Sequence, residues 1–255
     1  MGKKKNLYLS LTSLLLIPSS LRQGILAVKF IVTNNARNLP GGLRFDREIG
    51  IPYTLQTMST INQFIWNLFE QHSYSERKNI PVLNVFISDF TGAAAYTNGD
   101  FNINVSAQVI QSYPPGPGKA RFRFTSLMYH EMAHIFQWSG NRTAPGGLTE
   151  GIADYEMIKS SVYWWFSYTR PGEGSRWDEG YGVTERFLEY CDSLRKGFTV
   201  ELNKKMRYAY SDGYFVELLG KPVRQLWADY KKKYGNTPVG EGYLLPDEIS
   251  KTLFY

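Results

Sequence analysis

Residues 128–140 read "MYHEMAHIFQWSG" and contain the pattern His130-Glu131-x-x-His134. On an α-helix, residues four apart stack one turn from each other, so both imidazoles face the same space. Two ligands of one metal ion need that placement. Glu131 stands about 100° round the helix from His130, within reach of a water at the metal without being a ligand. Met128, Ala133, Ile135 and Phe136 make the segment apolar, so this helix is expected to be buried, and buried histidines need partners.

A site of this kind requires a third protein ligand. The chain has only three histidines, and the remaining one, His72, lies upstream in the polar stretch "FEQHSYSER", an ordinary setting for an exposed histidine. An extension with Gly at 137 and His at 140 is excluded, because those positions are Gln137 and Gly140. The third ligand is therefore expected to be a carboxylate. Glu150 in "GGLTEGIADY" (146–155) is the candidate, with Asp154 one turn on and placed to orient a liganding histidine through its other ring nitrogen. Pro145-Gly146-Gly147 is read as the reversal that brings this second helix back onto the first. Asp154, Glu156 and Asp178 stay open as alternative ligands, and a plain helix-start role for Glu150 is the competing reading.

The set suits Zn²⁺, with Glu131 as general base for the hydrolysis of peptide bonds. The oxyanion formed in that reaction needs a further donor. Of Tyr181, Tyr210 and Tyr214 on the C-terminal half, Tyr210 is taken as the catalytic candidate. The strand "AAAYTNG" (93–99) is an edge that could bind an extended peptide. The aromatic run Tyr163, Trp164, Trp165, Phe166 and Tyr168 reads as core.

The net charge of +6 invites a nucleic-acid reading, but the first 27 residues carry Lys3, Lys4, Lys5 and Arg22 with no acid. The remaining chain has 25 basic and 23 acidic residues, so no nucleic-acid partner is expected. Those first 27 residues read as a secretory signal: a basic head, an apolar run from Leu7 to Ile17, then a break at Pro18. The run is too short to span a bilayer, and no later stretch reaches about 18 apolar residues, so no membrane partner is expected after signal removal. Two sequons, at Asn104 and Asn141, are compatible with export. Cys191 is the single cysteine, which excludes an intramolecular disulfide; its apolar helical context makes it a buried thiol.

The expected domain is residues 28–255, with lobes of about 28–140 and 141–255 flanking a cleft. "VKFIVTNNA" is a strand, and the apolar spacing in "REIGIPYTLQTMSTINQFIWNLFEQHS" is helical. "IPVLNVFISDF" alternates Val82, Val85 and Ile87 against polar partners, a further strand. "AAAYTNGDFNINVSAQVI" follows as two strands turning at Asn98-Gly99. A helix over 119–139 and another from about 149 precede several more. The fold class is α+β, with the active-site helix in the mixed N-terminal half and a helical C-terminal half.

The blocks "YHEMAHIFQWSGNRTAPGGLTEGIADY", "SRWDEGYGVTERFLEYCDSLRKGF", "LNKKMRYAYSDGYFVELLGKPVRQLWADYKKKYG" and "VKFIVTNNARNLPGGLRFDREIG" resemble the plant basic secretory proteins, in order along the chain after the signal. The resemblance implies a zincin-like fold with a mixed sheet and metallopeptidase activity. It also implies secretion to the apoplast or vacuole and a role in defence. Its zinc motif falls on His130, Glu131 and His134, with the downstream Glu at Glu150. A monomer acting on peptide or protein substrates is the expectation. A secreted defence protein that binds a microbial or wall ligand without catalysis is the alternative, and an intact Glu131 argues against it.

Overall fold

A computed structural model describes residues 27–98, 101–160 and 169–235. Residues 1–26 of the expected signal, the aromatic run 163–168 and Gly99 of the expected turn lie outside the described residues.

The chain opens with β1 (Lys29–Asn34), a short helix α1 (Pro40–Arg44), one π-helical turn (Phe45–Ile49) and α2 (Ile51–Leu68). The single helix expected over this region is thus preceded by helical turns and broken at Gly50, whose φ of +80° costs glycine nothing. No apolar period marks α1, because its packing face is made of glycine. A Cβ on Gly41 would sit 1.8 Å from the Ala107 carbonyl oxygen.

Strand β2 (Val82–Ser88) runs parallel to β1, β4 (Asn102–Ser106) runs parallel to β2, and β3 (Ala95–Asn98) pairs antiparallel with β4. The sheet order is β1-β2-β4-β3, so it is mixed and β3 is its edge. Leu83, Val85 and Ile87 of β2 face the core, while Val82 faces away: the two-residue period cannot place 82 and 85 on one side. β3 and β4 form the expected antiparallel pair, with Asn98 opposite Asn102. The end of "NINVSAQVI" is not strand. Ser106 accepts a hydrogen bond from the Val109 N–H at 3.4 Å and caps α3 (Ala107–Ser112).

Helix α4 (Lys119–Phe136) lies against the sheet edge and α2, with α5 (Gly146–Lys159) on its other side. Behind α5 come α6 (Tyr181–Leu194), α7 (Phe198–Lys205), α8 (Gly213–Leu219) and α9 (Val223–Tyr234). Phe187, Phe215, Leu226 and Tyr230 are fully buried among them. Gly151 sets how closely α5 meets α6, since a Cβ there would fall 2.4 Å from the Thr184 Cβ. The sheet half and the helical half therefore meet at α4 and α5. No helix among the described residues is long and apolar enough to cross a membrane.

Candidate metal centre and its cleft

His130 and His134 lie in the buried C-terminal half of α4, and their Nε2 atoms stand 3.1 Å apart. Glu150 Oε2 lies 3.1 Å from His130 Nε2 and 3.3 Å from His134 Nε2. Four ligands around an ion with bonds of about 2.05 Å are separated by about 3.3 Å, so this triangle has the edge length of a zinc-type tetrahedron. The donor set, two imidazoles and a carboxylate, suits the same class of ion. Among the described residues these three form the one group of His, Cys, Asp and Glu side chains able to hold a metal ion.

Glu150 arrives through a turn that the sequence places elsewhere. The reversal is made by Gly140, Asn141 and Arg142, whose φ values are +61°, +55° and +68°. Gly146 and Gly147 are already helical, and Gly147 is glycine because a Cβ would lie 1.9 Å from the Asp178 carbonyl oxygen. That close approach seats the first turn of α5 against residues 178–180, while Gln137 ties the same turn to the end of α4.

The partners of the imidazoles fix their orientation. His130 Nδ1 lies 2.8 Å from Asp154 Oδ1, and Asp154 is only 1% exposed. In the neutral imidazole that a metal ion requires, a proton on Nδ1 shared with that carboxylate leaves the Nε2 lone pair facing the triangle. Burial disfavours the charged form of His130, but the hydrogen bonds from Asp154 and Glu150 prevail and hold its pKa well above the usual 6.5. Glu150 is driven well below the usual carboxylate range, because its bonds to both imidazoles outweigh burial. The Gln137 amide lies 2.9 Å from His134 Nδ1 and donates to the Thr149 carbonyl at 3.0 Å, tying α4 to α5. Gln137 has no place in the sequence reading beyond excluding one motif, although its position three residues after His134 is a usable signal.

Glu131 is 5% exposed, and its Oε2 has no hydrogen-bond partner. Burial raises its pKa, the two imidazoles pull it down in part, and the Glu150 charge adds to the rise. A cavity of about 350 Å³ opens over these groups, walled by residues 92–97 along the sheet edge, Leu127 and Tyr181. Tyr181 stacks on His130 with ring centroids 5.9 Å apart and planes 12° from parallel. It begins α6 with φ +45°, a strained conformation for a bulky residue. Burial pushes its phenol up to about 12, helped by the charges of Glu150, Asp154 and Glu131. The catalytic tyrosine chosen from sequence, Tyr210, does not line this cavity; its hydroxyl donates to Asp212 at 2.6 Å. Tyr214 donates to the Ala209 carbonyl. A left-handed residue at a helix start leaves no apolar or spacing signal, so nothing in the spacing of residues places Tyr181 on the cavity wall.

The alternative ligands are engaged differently. Asp154 holds His130, Asp178 pairs with Arg176 at 2.9 Å, and Glu156 is fully buried without a hydrogen-bond partner. His72 is exposed and Cys191 is fully buried, as expected. A second cavity of about 560 Å³ adjoins the first and shares His134 and Thr97 with it. Lys78 on its wall donates to the Ile135 carbonyl at 3.0 Å, and burial lowers its amine to about 8.

A family profile described as "Peptidase of plants and bacteria" matches residues 25–230. Among characterised proteins, the "Basic secretory protease" of Boswellia serrata is 44% identical over 59 residues, which cover 23% of this chain and 67% of that protein. A match across both halves of the fold and the whole of the His-His-Glu cluster settles the kinship: this chain belongs to the basic secretory protein family of peptidases.

Proposed function

We propose that the protein is a secreted zinc peptidase of the HExxH…E kind on a zincin-like fold, acting as a monomer on peptides or proteins in plant defence. His130, His134 and Glu150 hold the ion, Asp154 orients His130, and Glu131 is the general base. One observation carries this reading: three donor atoms 3.1–3.3 Å apart, with the unpartnered Glu131 carboxylate beside them in one cavity.

Bound in the triangle, Zn²⁺ supplies Lewis acidity, lowering the pKa of a water and polarising the scissile carbonyl. Glu131, desolvated and raised above its ordinary range, accepts the proton of the attacking water and delivers it to the leaving amine. The Tyr181 phenol, protonated throughout the working range, is placed to donate to the oxyanion. The outer side of β3 offers backbone groups to which an extended peptide adds as a strand, carrying its scissile bond over His130 and Glu131.

Metal removal tests the assignment. Purified protein is expected to contain one zinc per chain, to lose peptide hydrolysis on dialysis against a chelator, and to regain it with one equivalent of zinc. Full hydrolysis by a preparation free of metal would sink the reading.

A further inference from the structure

The second cavity is lined by Lys78, Arg142, Arg207 and the indole of Trp138, and no carboxylate lines it. Among the described residues, none of these three cations forms an ion pair. Lys204, Lys205, Lys221 and Arg44 each do. Lys78 spends one N–H on the Ile135 carbonyl, leaving two. Its ammonium lies 5.5 Å from the Trp138 ring centre, and the Arg207 guanidinium lies 5.2 Å from the same centre. The indole therefore holds both cations in place without neutralising either.

We propose that this cavity is a specificity subsite of the peptidase, which binds the carboxylate of an acidic side chain on the amino side of the scissile bond. The proposal rests on the peptidase reading above. An apolar occupant would leave three cations without a counter-charge, and a basic one would be repelled. The side follows from the sheet. A peptide added antiparallel to β3 runs against the direction Ala95 to Asn98. Residues 92–97 border the catalytic cavity, whereas Thr97 and Asn98 border the cationic one. The peptide thus meets Asn98 first, with residues that precede its scissile bond. The strand that borders both cavities spans only Ala95 to Asn98, so at about 3.3 Å per residue the subsite is within three positions upstream.

The test uses zinc-loaded protein and fluorogenic peptides acetylated at one end and amidated at the other, with Glu, Gln or Lys at each of the three upstream positions. At one position, kcat/KM for Glu is expected to exceed that for Gln by about tenfold, with Lys below Gln and the gap narrowing as salt is added. In a Lys78→Met, Arg207→Gln double variant, the Glu-to-Gln ratio should fall to about twofold or less. Arg142→Gln, which alters only an exposed side chain, should reduce the ratio about threefold without a folding risk. A second arm measures fluorescence anisotropy of the same peptides on zinc-loaded Glu131→Gln protein. It reads the subsite without turnover, so absent hydrolysis with intact Glu selectivity indicts the peptidase reading alone. Equal handling of Glu and Gln in both arms overturns the subsite. So does a Glu preference that survives both the double variant and Arg142→Gln.

Discussion

On one side of His134, the carboxylates of Glu131, Glu150 and Asp154 surround two imidazoles, and no lysine or arginine lines their cavity. On the other side, Lys78, Arg142 and Arg207 line a cavity with an indole, and no carboxylate lines theirs. Charges elsewhere on the surface are commonly matched, as in Arg44 with Glu48 and Lys205 with Glu217. A fold optimised for stability alone would pair such groups or let water cover them. Clustered charge of one sign in a walled cavity instead suits a partner of the other sign: a cation on the acidic side, an anion on the basic side.

The heaviest blow to the acidic side is Glu131→Gln. The amide keeps the shape and gives up the base, so kcat/KM should drop by about 10³-fold or more while zinc content stays at one per chain. Near-normal turnover would mean that another group takes the proton. Tyr181→Phe should come next. It removes a donor and leaves the stacking on His130, so a fall of about 10² in kcat with little change in KM is expected, against less than about twofold for Tyr210→Phe. If the two variants respond in the reverse order, the donor has been misassigned. Asp154→Asn acts one layer further out. Zinc affinity, read by competition with a coloured chelator, should fall about 10- to 100-fold, because Nδ1 of His130 loses its carboxylate. Unchanged affinity would leave Asp154 a packing residue only.

The acidic cavity was largely legible in the sequence, and the basic one was not. His130, Glu131 and His134 obey a helical spacing, and the shortage of histidines directs attention to Glu150; local periodicity carries that much. Tyr181 depends on a left-handed backbone at residue 181, and Gln137 on a contact between α4 and α5. Lys78, Trp138 and Arg207 come from three separate segments, so nothing in their spacing announces a common wall. In the fold, the strands and long helices announced themselves by apolar period. The errors fell where close packing or capping ruled instead: Gly41 and Gly42 in α1, Gly147 in α5, and Ser106 ending a strand by starting a helix.

Glu156 is a buried carboxyl outside both cavities. It bears the full charge penalty of burial, since it is 0% exposed and neither oxygen has a hydrogen-bond partner, yet it lines neither cavity. With no ligand able to enter, the remaining remedy is a proton, and burial holds its pKa well above the usual 4.5, with the His130 charge opposing. The sign follows from linkage. A carboxyl raised in the folded state contributes fully below 4.5 and loses that contribution as pH climbs towards its folded value, because the unfolded chain ionises first. Glu156→Gln keeps the volume and cannot ionise. The variant and the parent protein should therefore melt alike near pH 4. At pH 8 the variant should be the more stable of the two, seen as a higher Tm. Zinc binding should move little, because Glu156 touches none of the ligands. A stability difference independent of pH would show that Glu156 is ionised in the fold and compensated, and uncompensated charge would then no longer separate the ligand cavities from the rest of the interior.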